Sequence, residues 1–188
     1  MTETKKPART RLVIAGAAAA VIAAGGIGIA TVNANGPDPA AQAPVTADIS
    51  DADLQQSTHL TIAAATRAAQ SALDAATKAN QHVTVAVVDR NGNTIVVLRG
   101  DGAGPQSYDA AQRKAFTAAS WNAPTSQLTE RLKSAPQLAD IPGTLFLGGG
   151  APIQAKGGAP IAGIGVAGAP SGDQDETFAR AGIAALGS

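Results

Sequence analysis

The spacing of hydrophobic positions changes along the chain from helical to strand-like and back. From Thr61 to Lys78, small and apolar residues recur every three or four positions, which predicts a long amphipathic helix with Thr61 as its N-cap. Two runs rich in valine and isoleucine follow at 83–88 and 94–98. The Asn-Gly pair between these runs predicts that they form an antiparallel hairpin.

The second half of the chain shows the same change of spacing. Helices are predicted at 107–121, at 127–133 and from Asp173 onward, and strands are predicted at 144–147, 151–154 and 160–166. Ser107 is the predicted cap of the first of these helices, and Thr125 or Ser126 that of the second. Antiparallel strands grouped between helices predict an α+β fold, a layered α/β sandwich with an antiparallel sheet of about five strands flanked by helices.

The first 57 residues follow neither spacing. A basic, polar segment at 1–11 precedes an uncharged apolar run at 12–30, which predicts an export signal or membrane anchor over residues 1–34. The residues up to Ala34 favour cleavage after that alanine, and an uncleaved anchor is the alternative. Residues 35–57 are rich in Pro, Ala, Asp and Gln and predict a flexible linker, which leaves 58–188 as an extracellular folded domain.

Composition narrows the possible functions. The chain has no cysteine, which excludes disulfides, thiolate metal sites and a cysteine nucleophile. Residues 1–34 hold four of the fourteen basic residues and one of the fourteen acidic residues, so the remainder has a net charge of −3. This charge gives no indication of nucleic-acid binding.

The helix predicted at 107–121 carries the most distinctive group of candidate residues. At 100° per residue, Tyr108 shares a side with alanines and is expected to face the core. Arg113, Lys114, Thr117 and Trp121 gather on the other side. Two cations, a hydroxyl and an indole could hold a flat, apolar, anionic ligand such as a porphyrin, with the cations near its propionates. A subunit contact or a solvated face is the alternative.

Other candidates have weaker patterns. Asp173 and Glu176 lie three residues apart and could hold iron or another divalent ion at the surface, or could serve only the positive end of a helix dipole. His59 and His82 are the two histidines, and either could ligate haem iron. The glycines at 148–150 lack the ending of a phosphate loop and indicate a tight turn. No nucleophile pattern is present, so no catalytic residue is predicted.

Four segments together resemble the GlcG/HbpS family over residues 58–187. They are VTVAVVDRNGNTIVVLRGDGAGP from Val83, SYDAAQRKAFTAASWNAPTSQL from Ser107, IPGTLFLGGGAPI from Ile141 and GIGVAGAPSGDQDETFARAGIAAL from Gly163. The order of these segments carries the resemblance, since each of them alone is short. The export signal favours the exported haem-binding members over cytoplasmic relatives.

The resemblance implies an α/β/α-layered homo-oligomer, expected to be an octamer. It also implies that the protein binds haem (iron protoporphyrin IX) and binds iron at its surface. It further implies redox-stress and haem sensing together with a membrane sensor histidine kinase. Thr117 would then contact the haem, and Asp173 with Glu176 would match the acidic iron-binding pattern. The alternative that the family leaves open is a haem-degrading or other small-molecule enzyme.

Overall fold

The computed structural model describes residues 48–187. The helices and strands of this part of the chain are α1 Ile62–Lys78, β1 Thr84–Asp89, β2 Thr94–Arg99, α2 Pro105–Trp121, α3 Thr125–Thr129, β3 Gly150–Gln154, β4 Pro160–Ala167 and α4 Gly172–Ala184. Short 3-10 helices lie at Asp51–Asp53, Glu130–Lys133 and Pro136–Asp140. The predicted export segment and residues 35–47 of the predicted linker lie outside the described residues. Within 48–187, no helix has both the length and the apolar character needed to cross a membrane.

The strands form one antiparallel sheet in the order β2-β1-β4-β3. The predicted hairpin of β1 and β2 is confirmed, and Asp89 stabilises its turn by accepting hydrogen bonds from the backbone amides of Asn91 at 2.8 Å and Asn93 at 2.9 Å. β3 and β4 form a second hairpin, also as predicted. β4 pairs with β1, so the two hairpins join in the middle of the sheet.

The strand predicted at 144–147 is wrong, and the sheet has four strands rather than about five. This segment lies alongside α2. The backbone amide of Leu145 donates to Thr117 Oγ1 at 2.8 Å, and the carbonyl of Thr144 accepts from Arg113 at 2.7 Å. The backbone polar groups of the segment therefore bond to helix side chains instead of to a neighbouring strand.

Helices cover both faces of the sheet. On one face, α1 and α4 contribute alanines and Phe178 to a core that includes Val85, Val87 and Ile164. On the other face, α2 packs on a smaller cluster that includes Ala86. The predicted layered α+β sandwich is therefore confirmed.

Helix α2 lies close to β4 because two strand residues beneath it are glycines. A Cβ atom at Gly163 would overlap the carbonyl oxygen of Ala115, and one at Gly165 would overlap that of Ala111. Ile164 between them points into the opposite core, as strand alternation requires. These glycines thus serve the packing of helix on sheet.

The starts of α2 and α3 differ from the predicted caps. α2 begins at Pro105, and Ser107 is instead buried with its Oγ 2.7 Å from Thr84 Oγ1. α3 begins at Thr125, whose hydroxyl accepts a hydrogen bond from the backbone amide of Gly150 at 2.7 Å. Both hydroxyls bind a helix to the sheet, so they are unavailable for capping.

Candidate functional site

A buried ion pair joins α2 to α4. Lys114 Nζ lies 2.8 Å from Asp175 Oδ2, and only 3% and 4% of the two side chains are exposed. Lys114 Nζ also donates to the carbonyl of Val166 at 3.0 Å, and Asp175 Oδ1 accepts from the amide of Ala169 at 3.0 Å. The charged atoms of this pair are therefore used inside the protein.

Asp175 and its neighbour Glu176 have pKa values shifted in opposite directions. Burial raises the pKa of the Asp175 carboxyl, although Lys114 acts to lower it. Burial also acts to raise the pKa of Glu176, but hydrogen bonds from Arg180 and Ser126 outweigh it, so that pKa is lowered. Glu176 accepts from Arg180 at 2.7 Å, from the Ser126 hydroxyl at 3.0 Å and from the Ser126 amide at 3.2 Å. Glu176 is thus held as a buried carboxylate.

The predicted iron ligands Asp173 and Glu176 have different surroundings. Asp173 is exposed, whereas Glu176 is buried and both of its oxygens accept hydrogen bonds. Ser126 and Arg180 therefore use most of the acceptor capacity of the Glu176 carboxylate. Among residues 48–187, no three histidine, cysteine, aspartate or glutamate side chains are grouped so as to hold a metal ion.

Thr117, the predicted haem-contacting residue, is fully buried. Its hydroxyl donates to the carbonyl of Arg113 at 2.7 Å and accepts from the amide of Leu145 at 2.8 Å. The Thr117 hydroxyl is thus used within the protein in this conformation, and its contact with haem stays a prediction.

Arg113 and Trp121 are partly accessible. Arg113 donates to the carbonyl of Thr144 at 2.7 Å and lies 3.6 Å from Asp109, with 41% of its side chain exposed. Trp121 packs edge-on against Phe146, with ring centroids 5.2 Å apart and planes at 78°. Both side chains thus hold the segment around residues 144–146 against α2.

Arg113, Lys114, Thr117 and Trp121 do not form one open face in this structure, and their contact with haem stays a prediction. Lys114 and Thr117 are buried, and Tyr108, which was expected in the core, is 49% exposed. A helical wheel assumes one buried side, but α2 is covered by the sheet and also by the chain around residues 144–147. Arg113, Lys114 and Thr117 thus bond to distant residues of the same chain.

A cleft of about 330 Å³ lies between the end of α1 and the segment that follows β2. Its lining residues are Leu73, Thr77, Asn80, Gln81, His82, Arg99, Gly100 and Asp101. His82 Nδ1 lies 2.7 Å from the carbonyl oxygen of Asp101. No partner for His82 could be read from the sequence, because Asp101 lies 19 residues further along the chain. The other histidine, His59, is exposed and lies 2.6 Å from the Ser57 hydroxyl.

Comparison with known proteins identifies the family. The family model described as haem degrading protein HbpS-like matches residues 60–184. This chain belongs to the HbpS-like family. A crystal structure of a double mutant of Streptomyces reticuli HbpS is 70% identical, with a TM-score of 0.73, and the match covers 79% of this chain and 99% of that one. The expected family and fold are thus confirmed.

Two further similar proteins are more distant in sequence. The crystal structure of a PduOC:heme complex is 26% identical, with a TM-score of 0.62, and the match covers 68% of this chain and 95% of that one. An uncharacterized 15.0 kDa protein encoded between dhaT and dhaS in Citrobacter freundii is 32% identical over an alignment of 131 residues, which covers 67% of this chain and 91% of the relative.

Proposed function

We propose that this HbpS-like chain is an exported haem-binding protein that senses haem, iron and redox stress as the accessory of a membrane histidine kinase. The observation that carries the proposal is the 70% identity to HbpS across 99% of that chain. The description of the matching family as haem degrading and the heme complex of a second structural relative support the cofactor.

The residues of the chain also favour a bound cofactor for redox sensing. Sulfur is the usual redox-active element of protein side chains. This chain has no cysteine, and its one methionine is Met1. A redox sensor built from it would need an external redox centre, which bound haem iron supplies.

Assembly and location are part of the same proposal. We expect a homo-oligomer, and an octamer in particular, as the resemblance to the GlcG/HbpS family implies. We expect export through residues 1–34, with the domain presented to an extracytoplasmic part of the kinase. Surface iron at Asp173 with Glu176 stays a prediction.

A haem titration of the full chain, followed by absorbance, tests the proposal. We expect a saturable Soret band at micromolar protein. Iron-free protoporphyrin IX is the matched control, because it has the same apolar ring and propionates but no metal to ligate. Weaker binding of the iron-free ring would show that an iron ligand contributes. Absence of a saturable band would overturn the proposal.

A second candidate function is haem degradation, which the description of the family favours. An enzyme would destroy the Soret band and release iron in the presence of a reductant. The rate should be compared with that of free haem under the same conditions. Loss well above the free rate would support the enzyme, whereas a stable band would support a sensor.

A further inference from the structure

The cleft at the end of α1 gathers charged groups that the protein itself leaves unused. One nitrogen of the Arg99 guanidinium donates to the carbonyl of Ala103, and its other N–H groups have no partner in the described part of the chain. The Asp101 carboxylate forms neither a hydrogen bond nor an ion pair with any residue from 48 to 187. Both residues are exposed, so a ligand in the cleft can reach a cation and a carboxylate.

His82 adds a hydrogen-bond acceptor to these charges. A carbonyl oxygen can only accept, so the 2.7 Å contact between Nδ1 and the carbonyl oxygen of Asp101 requires the hydrogen of a neutral ring to lie on Nδ1. Nε2 then carries a lone pair, and no described residue donates to it. Because His82 is exposed and lines the cleft, this lone pair is available to a donor on a ligand.

The loop at 100–104 holds both nitrogen-bearing side chains in place. Two of its carbonyl oxygens accept hydrogen bonds, one from His82 and one from Arg99. Gly102 has a φ of +78°, and a Cβ atom there would lie 3.0 Å from His82 Nδ1, so a larger residue would be strained and would press on the ring. The two side chains are therefore ordered before a ligand arrives, which lowers the entropic cost of binding.

Size and charge define the class of ligand. At about 330 Å³, the cleft is near the lower end of ligand sites, which suits a molecule with few non-hydrogen atoms. A ligand with only one charge would leave either Arg99 or Asp101 facing a group of like charge or no charge, whereas a zwitterion complements both. Leu73 and the methyl group of Thr77 provide apolar surface for a short side chain.

We propose that this cleft binds a small zwitterion of the α-amino-acid class. The ligand carboxylate lies against Arg99, and the ligand ammonium group donates to His82 Nε2 and to the Asp101 carboxylate. The inference goes beyond the proposed haem binding and does not depend on it, because the predicted haem contacts lie on α2.

NMR spectra of the imidazole groups in the full chain, labelled with ¹⁵N and purified without a histidine tag, test the proposal. The chain has two histidines, so a His59→Gln variant assigns both sets of signals. At a pH where both rings are neutral, we expect the His82 signals to show the hydrogen on Nδ1. Added L-alanine should shift the His82 signals saturably and leave those of His59 unchanged.

Two probes each lack one of the two charges of L-alanine. Propionate keeps the carboxylate, and ethylamine keeps the cation. We expect each to bind at least about fivefold more weakly than L-alanine, because each loses the hydrogen bonds between charged groups at one end of the cleft. These titrations use the native chain, so a folding defect cannot affect them.

Variants of the two charged residues have matched controls outside the cleft. Arg99→Gln and Asp101→Asn should each weaken L-alanine binding by about fivefold or more. Arg90→Gln and Asp140→Asn make the same changes at exposed positions that do not line the cleft, and they should leave binding unchanged. Circular dichroism should show native secondary structure in all four variants.

The outcomes separate this inference from the proposed function. Absence of a saturable shift of the His82 signals with L-alanine, glycine and L-serine would overturn the inference. Propionate or ethylamine binding as tightly as L-alanine would also overturn it, since one charge would then be sufficient. Absence of a Soret band in the haem titration would overturn the proposed function and leave the amino-acid site in place.

Discussion

Lys114 and His82 each have a side-chain nitrogen against a backbone carbonyl. They differ in whether a hydrogen-bonding group of the side chain remains free for a ligand. Lys114 contacts Val166 and Asp175 and is 3% exposed in its side chain. His82 uses only one ring nitrogen and lies at the surface. The difference teaches that unused donors and acceptors, rather than residue type or helical phase, indicate where a ligand can bind.

The largest expected effect is on the stability of the Lys114 region. Lys114→Met leaves the buried carboxylate of Asp175 without its cation, which should destabilise the domain by about 3–5 kcal/mol. Arg99→Met is the matched change in the open cleft and should cost less than about 1 kcal/mol, because Arg99 is exposed. Urea denaturation followed by Trp121 fluorescence measures both, since Trp121 packs against Phe146.

A double variant identifies the cause of this loss. Replacing both partners, as in Lys114→Met with Asp175→Leu, removes the unpaired charge and should recover much of the stability. Equal costs for Lys114→Met and Arg99→Met would contradict the distinction between the two regions.

A smaller difference in stability is expected between variants of two threonines, of which one is buried and one is exposed. Thr117→Val leaves the amide of Leu145 without its acceptor, which should cost about 1–3 kcal/mol. The Thr77 hydroxyl donates to the carbonyl of Leu73 one turn earlier and the side chain is exposed, so Thr77→Val should change stability by about 0.5 kcal/mol or less. Thermal unfolding with calorimetry compares the two variants.

Haem affinity provides the second readout for Thr117. Because its hydroxyl is buried and doubly bonded, folded Thr117→Val should bind haem as the native chain does. Loss of the Soret band in a folded Thr117→Val variant would instead support the predicted contact between Thr117 and haem.

The layers of the fold and both hairpins could be predicted from the sequence. These depend on local signals: the spacing of alanines in α1, the Asn-Gly pair after Asp89 and the alternation that leaves Gly163 and Gly165 under α2. Periodicity is local because it follows from the geometry of one element. Fold class could therefore be predicted before any tertiary contact was known.

The site could not be predicted in the same way, because its contacts join distant residues. Lys114 lies 61 residues from Asp175, and Arg113 lies 31 residues from Thr144. The apolar run at 144–147 has the composition of a strand, and only its bonds to α2 show otherwise. His82 carried a weak signal in the glycine-rich loop at 100–104, of which Gly102 lies against its ring.

The smallest effect concerns Glu176 and pH. Its pKa is lowered from the ordinary value of 4.5, so the ionised form stabilises the fold above that value. This stabilisation is lost as pH falls through the lowered pKa. The stability difference between the native chain and Glu176→Gln should therefore be largest near neutral pH and should shrink below about pH 4.5. Urea midpoints measured across this range test the expectation, with Asp173→Asn as the exposed neighbouring control. A difference that stayed constant down to about pH 3 would show that the charge of Glu176 does not stabilise the contact between α3 and α4.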